Sequence, residues 1–312
     1  MTKKRLLFPG LLWGLLLLAG CSALTHSVDE LEKNTQYEET NSSEDHYYKP
    51  VQTYTGEEYS LPNGDQTDQI AMEHQEEIRD AVKAFFKETY HTEVKVHHIV
   101  GAAGGASVSV ESIGEPHFYS YAIIPINKKN KEIDPTGVWS QEGQVETAIV
   151  SGLYAWINEE KFNKLDEYIE KKVKKHPIVG IDEEALQNGV GNYHTTSYYK
   201  VVIYGGVVEE KLLGAYMDQP DRSKEEWADR LAGENVDPSM IGTLIQLYME
   251  EPKIDPSKEI FDEIVKYLSD MEGLAAGQYG FILHDNTIDK YSGENIKDNS
   301  LERTYPDEII KR

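Results

Sequence analysis

TEVKVHHIVGAAGGASVSVESIGEPHFYSYAIIPI, residues 92–126, holds three runs of alternating side chains separated by two glycine-marked breaks. The runs TEVKVHHIV (92–100), ASVSVESI (106–113) and HFYSYAIIPI (117–126) have the two-residue period of half-buried strands. The breaks GAAGG and GEP are too short for a crossover, so the runs form an antiparallel meander. GAAGG joins two strands rather than opening a helix, which makes it a hairpin loop and not a phosphate cradle. A meander with one apolar face needs cover. Directly before it, DQIAMEHQEEIRDAVKAFFKETY places Ile70, Ile78, Val82 and Phe85 at helical spacing, so a helix over about 68–90, capped by Asp68, is the expected cover. The fold class that follows is α+β, a helix packed on an antiparallel strand meander, and the order of these elements resembles a cystatin-like or PepSY-like arrangement.

Toward the C-terminus, Val145, Ala148, Ile149, Leu153, Trp156 and Ile157 form one helical stripe. A second helix runs from Asn158 to Lys175, with Glu159 and Glu160 in its first turn and Lys171, Lys172, Lys174 and Lys175 in its last. Both ends complement the helix dipole. The turn-rich residues 176–196 suggest a boundary, giving an α+β unit over 66–176 and a mainly helical unit with a C-terminal hairpin over 177–312, or one domain made of both. In the second part YYKVVIY (198–204) reads as a strand, and Ser223 with Glu226 as a capping box. Asp237-Pro238 and Asp255-Pro256 read as helix starts, and GQYGFILHDNTIDKYS as a hairpin turning at Asp285-Asn286.

The opposite end carries an address. Residues 1–20 combine a basic start at Lys3, Lys4 and Arg5 with an apolar run and the small pair Ala19 and Gly20, the pattern of a secretory signal. Cys21 follows, the single cysteine of 312 residues, which excludes an internal disulfide and a cysteine-based metal site. LLLLAGCSAL, residues 15–24, resembles the bacterial lipobox. That resemblance implies an S-diacylglycerol, N-palmitoyl cysteine at Cys21 after cleavage, and two or more acyl chains make anchoring stable. The expected partner is therefore the lipid bilayer, through Cys21, on the extracytoplasmic face of the cell membrane. Residues 21–65, rich in Ser, Thr, Asn, Glu and Asp, read as a disordered tether whose stretch 48–64 can dock as an arm.

The formal charge is −24, and loss of the three basic residues of the leader makes it −27. Such a chain is repelled by phosphate polymers, which excludes nucleic acid as a partner. It leaves an envelope protein or glycan open.

YTGEEYSLPNGD, ESIGEPHFYSYAI, VWSQEGQVETAIVSGLY and NSLERTYPDEII resemble the domain-of-unknown-function 1672 family of lipoproteins from Gram-positive bacteria, and the similarity covers nearly all of the mature chain. The resemblance implies a Gram-positive envelope location and transfers one functional position, the lipobox cysteine, to Cys21. It implies no activity.

The chain contains no HExxH helix, no Gly-x-Ser-x-Gly elbow, no phosphate loop and no dinucleotide fingerprint. Ser197-Tyr198-Tyr199-Lys200 fits Ser-x-x-Lys, but at a strand start and without a Lys-Thr-Gly partner it reads as chance. Asp285, Thr287 and Asp289 begin like a calcium loop that Lys290 and Ile296 then break. His97 and His98, adjacent in a strand, point to opposite faces, so at most one can meet His117. No metal or cofactor is implied, and no catalytic residue is assigned. Twenty tyrosines against seven phenylalanines make an aromatic ligand surface conceivable, with His117, Tyr119, Tyr121 and Trp139 as candidates. The expected function is a non-catalytic binding or accessory module of the envelope. The alternatives are a hydrolase of wall or peptide substrates using His117 with a carboxylate, and an inhibitor or partner-regulating domain.

Overall fold

A computed structural model describes residues 47–312. Cys21, the leader and most of the tether lie outside the described residues. The described residues form a mixed α/β structure with eight helices and three sheets.

The meander is β2 (Val94–Ala102), β3 (Gly105–Ser112), β4 (Tyr119–Asn127) and β5 (Glu132–Ile133), paired antiparallel in chain order after β1 (Tyr48–Pro50). Its cover is two helices, α1 (Asp65–Glu73) and α2 (Gln75–Tyr90), with a break at His74. Asp68 does not cap. It lies inside α1, where its carboxylate accepts a hydrogen bond from Gly101 N and ties the helix to β2. From α2, Arg79 donates to the carbonyls of Val96 and His97 at 2.5 and 3.2 Å, satisfying backbone acceptors on the edge strand.

Helix α3 (Gln144–Ile157) joins the two large sheets. It packs on β4 on one side and on β8 (Tyr199–Ile203) on the other, and almost its whole circumference is buried. Close approach depends on Gly152, where a Cβ would sit 2.9 Å from the His117 carbonyl oxygen. On the β8 side, Ser151 Oγ accepts a hydrogen bond from Ile203 N at 3.1 Å. Helix α4 (Glu159–Lys175) follows, and its Phe162 stacks on Tyr199 of β8 at 5.7 Å.

Residues 177–312 are not mainly helical. They carry a seven-stranded sheet in the order β12-β10-β9-β8-β7, with β6 on β9 and β13 on β10. The strands are β6 (Ile178–Val179), β7 (His194–Thr195), β8, β9 (Ile241–Met249), β10 (Gly277–His284), β12 (Leu301–Arg303) and β13 (Ile309–Lys311). The helices are α5 (Glu183–Ala185), α6 (Gly206–Asp218), α7 (Lys224–Leu231) and α8 (Lys258–Asp270). Asp237 caps only a three-residue 3₁₀ turn before the chain enters β9. The alternation Ile241, Thr243, Ile245, Leu247 buries one side of a strand, and this tertiary demand overrides the Asp-Pro signal. Helix α8 does form, but Ser257 caps it by accepting from Ile260 N. The capping box of Ser223 and Glu226 starts α7.

The expected C-terminal hairpin does not form either. β10 and β11 (Thr287–Asp289) flank the turn at Asp285-Asn286, yet they do not pair. β10 lies parallel to β9 after the α8 crossover, and β11 pairs with β1 in the arm. Asn286 fixes the separation: it is fully buried, and its Nδ2 donates to the Glu250 carbonyl at 2.9 Å and to Gln52 Oε1 at 2.8 Å.

One apolar core runs from Ile70 on α1 to Ile309 on β13. A second, smaller core gathers Val51 and Tyr54 of the arm with Tyr119, Leu186, Tyr248 and Ile288. It covers the outer face of the meander.

Candidate functional site

His117 leads into β4, and β3 beside it supplies a carboxylate. Glu111 is nearly buried, and its two oxygens accept from His97 Nε2 at 2.9 Å and His117 Nε2 at 3.0 Å. Burial alone would raise the Glu111 carboxyl. The hydrogen bonds from His117 and His97, with the Lys95 charge at 3.6 Å, outweigh it and hold the group below the usual carboxylate range. Both histidines of the 97–98 pair lie on this outer face, contrary to simple strand alternation. A β-bulge between Val96 and Ile99 inserts one extra residue, so His97 reaches Glu111 while His98 Nδ1 donates to the Asn188 carbonyl at 3.0 Å. His117 is held further by His194, whose Nδ1 donates to its carbonyl oxygen at 3.0 Å, and by the edge of the Tyr119 ring. Burial is the largest effect on His194 and lowers its pKa to about 4.

The other sequence candidates divide. Tyr119 is buried in the second core. Tyr121 is partly exposed and donates to Gln141 Oε1 at 2.9 Å. Trp139 is 47% exposed, and its backbone pairs with Ile123. No cluster of His, Cys, Asp or Glu among the described residues is arranged to hold a metal.

A concave site lies elsewhere, on the face of the seven-stranded sheet turned away from α3, α4 and α8. Along β8, β9 and β10 the inward residues Val201, Ile203, Ile245, Leu247, Tyr279 and Phe281 enter the core. Their alternates Lys200, Val202, Gly242, Leu244, Gln278, Gly280 and Ile282 floor a cavity of about 490 Å³. Its rim is Tyr204, Ile296, Glu302, Tyr305 and Glu308, and Tyr305 is 85% exposed. Gly242 shapes one wall, since a Cβ there would meet Tyr204 Oη at 2.5 Å. A second cavity of about 290 Å³ continues past Tyr198, Gln246, Tyr248 and Glu294 and shares Lys200, Leu244 and Ile296 with the first. The two make one groove across the sheet face.

Lys200 stands where the two meet. Among the described residues its ammonium has no ion pair and no hydrogen bond, and burial lowers its pKa from the usual lysine value. Ser197 lines the second cavity with it, but Ser197 and Tyr198 form the turn from β7 into β8, and Lys200 lies on the strand, in place of the single helical turn on which a Ser-x-x-Lys pair works. Beyond Gln246 lies a neutral histidine. Gln246 Nε2 donates to His284 Nε2 at 3.2 Å, which leaves Nδ1–H to donate to Ser300 Oγ at 3.2 Å. Burial lowers His284 to about 4. The sequence signal for this site was the alternation of β8 and β9, in which the polar and glycine positions fall on one face. It could be read only after both segments were known to be neighbouring strands.

Two sheets sharing one central helix, with a groove on the uncovered face of the larger sheet, define a mixed α/β protein whose concave surface is built from strands. The chain belongs to the family described as protein of unknown function (DUF1672), which it matches over residues 41–311. A crystal structure of a DUF1672 family protein from Staphylococcus aureus subsp. aureus Mu50, at 1.80 Å resolution, has a TM-score of 0.69 at 15% identity, covering 85% of this chain and 98% of that one. That likeness speaks for the fold. No curated protein matches the chain. Among the described residues no helix is long and apolar enough to cross a membrane.

Proposed function

We propose that this chain is a lipid-anchored extracytoplasmic lipoprotein, held to the membrane by Cys21, and that it works as a non-catalytic binding module of the cell envelope through the groove on its seven-stranded sheet. The observation that carries the binding reading is the groove itself. It combines an apolar floor, tyrosine rims and one uncompensated lysine in a volume of the size that ligand sites occupy. The lipobox pattern ending at Cys21 supports the anchor.

The hydrolase alternative draws on the His117–Glu111 pair. Both Glu111 oxygens are engaged by histidines, and the two cavities of the groove include neither Glu111 nor His117. Glu111 thus holds two histidines in place, and neither cavity of the groove brings a substrate to them. The partner-regulating alternative rests on the helix-then-meander order alone.

Mass spectrometry of the amino-terminal peptide tests the anchor. A diacylglyceryl-modified Cys21 at the mature terminus is expected, and Cys21→Ala should abolish the modification and release the protein from membranes. An unmodified Cys21 on mature protein, or cleavage elsewhere, refutes the anchor. For the groove, a muropeptide digest of Gram-positive wall is the probe. It should raise the Tm of the mature chain but not of an Ile296→Trp variant, which fills the groove at an exposed position.

A further inference from the structure

Lys200 is the single cationic side chain lining either cavity of the groove. It stands second in β8, on a floor with Val202, Leu244 and Ile282, opposite its direct cross-strand partner Leu244. A lysine among apolar neighbours loses hydration, and an ion pair ordinarily compensates. Here none of the described residues supplies one. The acidic residues of the groove are not shared by the two cavities: Glu302 and Glu308 line the larger with Tyr305, and Glu294 lines the smaller. The charge pattern is thus one half-buried cation shared by the two cavities, with carboxylates in each.

We propose that the groove binds a short, extended peptide by pairing one of its carboxylates with Lys200, while an amino group of the same ligand faces the glutamates of the groove. Charge complementarity selects this occupant. A phosphate dianion needs more than one donor and would meet three carboxylates, and a neutral glycan leaves the ammonium uncompensated. A zwitterionic peptide answers both charges, and its aliphatic side chains suit the Val202, Leu244, Ile282 and Ile296 surface. The lowered pKa of Lys200 agrees with this reading, because a bound carboxylate would restore the charge-favouring surroundings that burial removes. The inference rests on the groove being the binding surface.

Calorimetric titration of the mature chain with the tripeptide Ala-Glu-Lys, compared with Ala-Gln-Lys, both amidated at the C-terminus so that the Glu side chain is the one carboxylate, tests it. Saturable binding of Ala-Glu-Lys is expected, weakened about tenfold or more by Lys200→Gln in the protein or by the Glu-to-Gln change in the peptide. The two changes should not add, since each removes one side of the same pair. Ile296→Trp should remove binding of both peptides. If Ile296→Trp removes binding while Lys200→Gln changes nothing, the groove stands and the Lys200 pairing is overturned. If neither variant affects binding, the groove reading fails with it. No binding of Ala-Glu-Lys to the wild-type chain also overturns the pairing, and the Tm shift with the muropeptide digest then decides the groove separately. Nuclear magnetic resonance spectra of both variants verify that they are folded.

Discussion

The two large sheets differ in how they are covered. The four-stranded meander has helices on its inner face and the arm, Leu186 and Val190 on its outer face, so its one buried acid, Glu111, is consumed by His97 and His117. The seven-stranded sheet carries its long helices on one side, and on the other the second core covers only the Tyr248 end, leaving a groove in which Lys200 has no partner among the described residues. Closure on both faces favours an internal partner for a buried charge, because removing one partner of a buried pair leaves the other charge uncompensated. An uncovered face leaves a charge available to something outside the chain. The polar cluster that resembles an active site is therefore the more structural of the two, and the plainer strand surface is the better candidate for binding.

The sharpest way to break that comparison is to truncate each face of the large sheet in turn. Phe281 on β10 is fully buried and stacks on Phe261 of α8 at 5.3 Å. Phe281→Ala should cost about 3–5 kcal/mol, read from urea unfolding. A loss below about 1 kcal/mol would mean that this face is not the closed one.

Acid provides a second test. His284, behind the groove, and His194, behind His117, are each lowered to about 4, with burial the largest cause. Both folded values lie below the unfolded value of about 6.5, so their stabilising contribution is complete above about pH 6.5 and is lost as pH falls toward 4. By pH 5 each should have cost about 2 kcal/mol. Asp166 opposes them: burial, the largest effect, outweighs its hydrogen bond from Tyr199 and raises it to about 6, which favours folding as pH drops through that value. The urea midpoint should still fall between pH 7 and pH 5, and His284→Gln should make that fall shallower. A midpoint that does not change over this range would contradict the buried, neutral state of these histidines.

The smallest expected effect is on the open rim. Tyr305→Ala, at 85% exposure, should change stability by less than about 0.5 kcal/mol while weakening ligand binding in the groove. A loss comparable with that of Phe281→Ala would show that the rim is part of the core.

Sequence alone determined what short-range rules govern. The meander over 92–126 was legible because three alternating runs joined by short turns can pair only with their neighbours, and the capping box at Ser223 because three residues contain its whole geometry. Long-range pairing decided the rest. The parallel partnership of β9 and β10 spans the α8 crossover, so IGTLIQLYM carries no local sign of being a central strand, and GQYGFILHDNTIDKYS reads by itself as a local hairpin. One inserted residue at His97 and His98 turned both rings to the same face, a register effect that no residue pattern announces. Glu111 and Lys200 were each visible in the sequence as ordinary charged strand residues. Only packing made one a buried bridge between histidines and left the other without a partner among the described residues, because whether a charge is compensated depends on which distant segments come to lie over it.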